Sequence, residues 1–190
     1  MFNLSFKKDK YKINLKAEVC DNTILKNYMN FDYFTNLCKT GCNYYNKSYT
    51  CPPNSPTFTD YTKNYNFSLI ILMYTEINEE NSIKDIHKDL RCILSEILIP
   101  LEKNLNGLLT DGGRCLYCNE CSYIYNLPCK YPDKIRFSME AMGIDLDKMS
   151  KEILNHTISW NKDYCTVIGS INFNGNFKQN YLKQIILEII

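Results

Sequence analysis

The sequence predicts an α+β or α/β fold: a single domain over residues 1–190, with one sheet of about four strands, packed helices and two cysteine-bearing loops. Three observations lead there. Residues 11–19 alternate strictly between apolar and polar, the pattern of a half-buried strand. Residues 83–101 repeat apolar side chains at helical spacing, as a helix packed on a sheet requires. Seven of the ten cysteines fall in two groups set in turn-rich chain. At 190 residues, 45% hydrophobic and 23% charged, the chain can bury one core without external staples.

In order, Tyr11, Ile13, Leu15, Ala17 and Val19 share the buried face of the first strand. Asp32 to Lys39 reads as a short helix presenting Cys38 near its end. Thr40 to Asn66 reads as loop, with Gly41, Pro52, Pro53 and Pro56. Phe67 to Tyr74 is apolar throughout, as in a strand covered on both faces. Ser82 can cap a helix with Asp85 three residues on, and Pro100 should kink or stop that helix. Gly107 to Thr110 is a short strand candidate leading into Gly112-Gly113. Residues 115–140 form irregular chain. Asp145 caps a helix running to about Asn155, Tyr164 to Phe173 is a strand, and Asn176 to Ile190 closes as a helix. Each cysteine loop follows an element of the common core, so the two loops are candidates to meet in space.

The formal net charge is +1, so no global field attracts nucleic acid or an anionic membrane. The longest apolar run, Leu69 to Tyr74, is far short of the ~20 residues that span a bilayer, and MFNLSFKKDK lacks a signal peptide's apolar stretch. The expected location is the cytoplasm. In that reducing compartment cysteines serve as metal ligands or catalytic thiols rather than disulfides. No phosphate loop, dinucleotide fingerprint or serine triad is present in the sequence.

The stronger cysteine group is Cys115-x2-Cys118-x2-Cys121-x7-Cys129. Its first three members have the spacing of bacterial ferredoxin runs, in which two-residue gaps curl the chain round one cluster. The fourth departs from that pattern: ferredoxins use x3 and then Cys-Pro, whereas here the gap is x7. Gly112 and Gly113 permit close backbone approach, with N–H groups available to cluster sulfurs. A tetrahedral zinc site from the same thiolates is the alternative, and iron is favoured because successive two-residue gaps are typical of clusters. The other group is Cys38-x3-Cys42-x8-Cys51-Pro52-Pro53, in which the prolines stiffen the chain after Cys51.

Together these blocks resemble a family of predicted metal-binding proteins found mainly in anaerobic bacteria and archaea. One carries Cys38, Cys42, Asn43, Tyr44, Lys47, Ser48, Cys51, Pro52 and Pro53. The other carries Gly112, Gly113, the four cysteines, Lys130, Pro132, and then Ser138, Met139, Glu140, Ala141, Gly143, Ile144 and Asp145. Tyr49 stands where the family usually has tryptophan, and Lys130 where it has arginine. The resemblance implies metal binding, most simply iron–sulfur, and supplies no substrate.

Four plus three cysteines give a saturated [4Fe–4S] cluster and a second with one iron open to a small molecule. If the protein is an enzyme, it is then an iron–sulfur reductase or a sulfur-transfer, desulfidase-type enzyme, fed by an electron donor protein. The alternatives are a non-catalytic electron-transfer module and a zinc-stapled structural or interaction protein. Cys165 reads as core and Cys92 as inert; Cys20, ending the first strand, is the candidate eighth ligand. His87 is expected on the solvent side and His156 as a helix cap. Glu140 is the weak candidate for proton delivery. Arg136 and Lys130 could offset cluster charge, and Tyr44, Tyr45 and Tyr49 could shield a cluster from water.

Overall fold

The computed structural model describes residues 1–77, 82–159 and 163–190. Among these, five strands form one open antiparallel sheet in the order β1-β2-β3-β5-β4: β1 (Phe2–Lys8), β2 (Tyr11–Asp21), β3 (Phe67–Glu76), β4 (Leu108–Thr110) and β5 (Tyr164–Phe173). Every neighbouring pair is antiparallel, so the fold is α+β and the α/β alternative drops out. The sequence pattern predicts no strand before Tyr11. The added strand β1 is an edge strand that fully buries only Phe2, so its alternation is weak and its core payload small.

Strand β3 lies at the centre and is buried on both faces. On one face Leu69, Ile71 and Met73 join Ile13, Leu15 and Ala17 of β2 and Val167 and Ile171 of β5. Helices α4 (Ile83–Asn104) and α6 (Gln179–Ile189) cover this layer. On the other face Ile70, Leu72 and Ile168 meet Phe58, Met139, Ile144 and Met149. These come from α3 (Phe58–Tyr61), α5 (Leu146–Ile153) and the chain leading into it.

Ser82 caps α4 as expected, its Oγ accepting from the Asp85 N–H at 3.2 Å. Pro100 does not end the helix, which runs on to Asn104. Proline removes the N–H that would serve the Glu96 carbonyl. Glu96 lies on the outer face, its side chain 58% exposed, so water can take that role, while buried Ile97, Leu98 and Leu101 keep the turn packed. Asp145 caps α5 through its Oδ1, which accepts from the Lys148 N–H at 3.0 Å. That helix ends earlier than predicted, because Asn155 turns to φ +47° and the His156 N–H bonds back to the Ser150 carbonyl. The single-turn helix α1 (Asn22–Leu25) follows β2, α2 (Phe31–Gly41) contains the predicted 32–39 helix, and α3 interrupts the predicted loop.

The shortness of β4 positions the site. It pairs only with Asn172, Ile171 and Ser170 of β5. From Tyr164 to Gly169, β5 therefore has no strand along its outer edge among the described residues, and the cysteine-bearing chain gathers beyond that edge. No described helix is long and apolar enough to cross a membrane.

Candidate metal centre

Cys38 lies in the last turn of α2, and Cys42 caps it, its N–H bonding to the Cys38 carbonyl at 3.0 Å. Helix α2 buries none of its own residues fully. What holds it is its entry: the Asn30 N–H bonds to the Gly143 carbonyl at 2.8 Å. Gly143 has φ +91°, and a Cβ there would lie 2.6 Å from the Phe31 Cα, so only glycine fits that crossing. Cys51 is reached by a tight turn: its N–H bonds to the Ser48 carbonyl, and the Asn46 N–H bonds to the Pro52 carbonyl at 2.8 Å. Ser55 Oγ ties the following chain to the Ala141 carbonyl at 2.6 Å.

The three thiols feel one another. Burial pushes the Cys51 thiol up to about 11, helped by Cys42 and Cys38 and opposed by the Ser48 and Thr50 hydroxyls. Burial raises Cys38 too, followed by Cys42 and Glu140. In the second group burial raises Cys115, the Tyr117 N–H opposes it, and Cys118, Cys121 and Cys129 add to the rise. Burial makes Cys38, Cys51 and Cys115 resist ionisation until a cation neutralises them, as metal binding does.

Cys115, Cys118, Cys121 and Cys129 line one cavity of about 190 Å³. Cys38, Cys42 and Cys51 line a larger cleft of about 900 Å³, whose wall also includes Cys118 and Cys92. The two loops do meet. The Cys115 N–H donates to Thr50 Oγ1 at 3.1 Å, the Tyr49 hydroxyl to the Leu127 carbonyl at 2.8 Å, and the Tyr123 hydroxyl to Asn46 Oδ1 at 2.9 Å. Tyr49 and Tyr123 pack edge to face at 5.1 Å, and the Arg114 guanidinium sits 4.2 Å over the Tyr44 ring. Tyr49 thus uses its hydroxyl for a bond between the loops. Among the described residues no three His, Cys, Asp or Glu side chains already converge to hold a metal ion. The fit rests on the donor set: both groups offer soft thiolates, which suit iron–sulfur clusters or zinc.

Several expectations change. Cys20 lines neither cleft and packs in the core with Leu25 and Tyr28; strand alternation places it on the face opposite Val19, which those residues cover. Cys92, expected to be inert, is exposed on the cleft wall. Cys165 is core, as expected. His87 is half-buried against the cleft rather than solvent-facing, and burial followed by Arg91 lowers its pKa. His156 does not cap with its ring: the imidazole lies 4.6 Å from the Tyr74 ring, with Nε2 buried and unpartnered. The Gly112 N–H is taken by Asp111 Oδ1 at 2.7 Å, so it is not available to a sulfur. The charge of Arg136 is engaged by Glu102, Nε to Oε1 at 2.7 Å and Nη2 to Oε2 at 3.0 Å, and Arg136 lines a small recess together with Cys115. Lys130 stays exposed beside Cys129. Tyr44 and Tyr49 line the four-cysteine cavity, and Tyr44 and Tyr45 the cleft.

Arg91 escaped the sequence reading. It is 5% exposed, pairs with Asp111 at 3.6 Å and donates to the Arg114 carbonyl. Gly113 has φ +122°, and a Cβ there would lie 3.2 Å from the Arg91 Cζ, so glycine lets the chain lie flat on the guanidinium. The signal was present: in a lysine-rich chain the three arginines are Arg91, Arg114 and Arg136, each making a contact that uses a planar guanidinium. A second signal is a repeated Cys-x-Tyr at 42–44, 115–117, 121–123 and 129–131. The amides of Tyr44 and Tyr131 point at Cys42 Sγ and Cys129 Sγ at 3.4 Å, and the Tyr117 amide serves Cys115. Glu140 lines the large cleft, with Oε2 buried and unpartnered, and burial raises its pKa.

No curated protein and no solved structure shows significant similarity to the chain. Residues 28–173, which hold both cysteine groups, Gly143 and the strands beside them, match the profile of the family described as Predicted metal-binding protein (DUF2284), and the chain belongs to that family.

Proposed function

We propose that the protein is an iron–sulfur protein with two [4Fe–4S] sites. Cys115, Cys118, Cys121 and Cys129 ligate one; Cys38, Cys42 and Cys51 ligate the other, leaving one iron open for small-molecule reduction or for sulfur abstraction or transfer. The observation that supports this most is the grouping of the thiols: the four-cysteine motif lines one cavity, and the three-cysteine motif lines an adjoining cleft that Cys118 shares. The two-residue gaps at Cys115, Cys118 and Cys121 weigh toward iron over zinc. Such clusters, when bound, supply electrons and, at an iron without cysteine, a Lewis-acid position.

The chain's own residues set the conditions. The Tyr44 and Tyr131 amides donate to the Cys42 and Cys129 sulfurs, and the Tyr117 amide favours the Cys115 thiolate. Tyr44, Tyr49, Tyr117 and Tyr131 wall the four-cysteine cavity and limit water there. Arg91 and Arg114 on the cleft wall offset thiolate charge. A second reading, an electron-transfer module with both clusters closed, is favoured by one observation: Cys92 faces the three-cysteine cleft.

Oxygen-free purification followed by iron and sulfide analysis tests the reading. It expects a brown protein with about eight irons per chain and broad absorbance near ~400 nm. A colourless protein with stoichiometric zinc overturns it in favour of a zinc-stapled module. Cyanide added to the reduced protein should shift the EPR signal of one cluster, and Cys92→Ser should leave both signals intact. Loss of one cluster in Cys92→Ser establishes the closed, electron-transfer arrangement.

A further inference from the structure

A second recess adjoins the cleft. It encloses about 610 Å³ between α2, the start of α5 and the bare edge of β5, within the range of small-molecule pockets. Cys38, His87 and Glu140 line both spaces, so the recess opens onto the three-cysteine group. Its body is apolar: Phe34 and Leu37 from α2 face Ile144, Val167 and Ile168. Two polar atoms in its wall, Glu140 Oε2 and Thr166 Oγ1, are buried without a hydrogen-bond partner. An unpaired buried polar atom is costly and calls for a partner. Around the recess Glu140, Asp145 and Asp147 stand against Lys148 and half-buried His87. That balance disfavours an anion.

We propose that this recess is the substrate pocket of the three-cysteine site. It takes a small uncharged molecule with a flat apolar body and an N–H or O–H donor head, the head seated at Glu140 beside Cys38 and the body between α2 and β5. The assignment of a substrate rests on the iron reading above; the binding pocket does not. The ending of β4 creates the wall, because the strand that would cover β5 from Tyr164 to Gly169 stops at Thr110.

Indole serves as the probe, with indene as its counterpart lacking the donor and phenylacetate as an anionic control. Binding is followed by equilibrium dialysis on the oxygen-free protein as purified, with metal content measured on the same sample. Indole should bind, indene about tenfold more weakly, and phenylacetate not at all. Leu37→Trp fills the recess from an exposed position (46% exposed) and should abolish indole binding. Glu140→Met should weaken indole about tenfold and leave indene unchanged. No indole binding, indole binding unaffected by Leu37→Trp, or equal affinity for indole and phenylacetate overturns the pocket. Indole binding by a protein without iron keeps the pocket and overturns its link to a cluster. With iron present, indole should shift one EPR signal, and an unshifted signal overturns the placement beside Cys38.

Discussion

The sheet face beneath α4 and α6 and the cysteine-bearing lobe are held by different forces. On the first, Leu15, Leu69, Ile71, Leu90, Leu94 and Leu98 are fully buried, each burial contributing about 1.5–3 kcal/mol relative to exposure. In the lobe α2 has no fully buried residue. Its loops are joined by single polar links such as Tyr49 to Leu127, Tyr123 to Asn46 and Cys115 to Thr50, each about 0.5–1.5 kcal/mol net. The sheet half is a self-sufficient core. The lobe is a set of cysteine-bearing loops pinned at a few points, and in the function proposed above bound metal would supply the remaining order.

The largest expected effect tests the sheet half. Leu94→Ala removes a side chain that fills the space against Gly112 and Gly169 and should lower unfolding stability by about 2–5 kcal/mol, read by denaturant titration. A loss well below that range would mean that this core is not the principal source of stability. Gly143→Ala tests the pin of the lobe: strain at φ +91° and the clash with Phe31 should cost about 1–3 kcal/mol. Amide exchange should quicken in residues 30–42 while β3 stays protected, and uniform loosening of both would erase the distinction between the regions. Tyr49→Phe removes one inter-loop bond and should cost about 0.5–1.5 kcal/mol, whereas Tyr49→Trp should fold but lack the Leu127 link. Its readout is the rate at which a chelator strips metal, expected to rise in Tyr49→Phe.

The smallest effect concerns pH. Burial and Lys16 lower the pKa of His156 in the folded chain. The unfolded chain therefore binds more protons below its own histidine pKa of about 6.5. Stability is present above that value and is lost as pH falls through it. His156→Phe keeps the ring against Tyr74 and should flatten the stability profile between about pH 5 and 7. An unchanged profile would show that His156 is not the titrating group.

Where one force dominated, the sequence was readable. The alternation of β2, the apolar run of β3, the period of α4 and the caps Ser82 and Asp145 each follow from local pattern, and each stands in the structure. Pro100 does not stop α4, because its local cost is met by packing at Ile97, Leu98 and Leu101. Strand β1 was missed because an edge strand buries little. Within the cysteine lobe, the thiols and their glycines were visible as motifs, whereas Arg91 carried no motif: its role depends on Asp111 and Gly113 folding onto α4.

The sequence alone determined one sheet with packed helices and the core faces of β2 and α4, because hydrophobic periodicity and capping are local properties of the chain, whereas the antiparallel pairing that makes the fold α+β was decided by tertiary structure. It also determined which seven cysteines form two groups, because ligand spacing is written in the motif. Only the tertiary structure decided that the two loops touch, that Cys20 belongs to the core while Cys92 faces the cleft, and that β4 stops short to leave a recess beside Cys38. These are contacts between segments far apart in sequence, fixed by how helices and loops close over one sheet edge, and no local pattern encodes that closure.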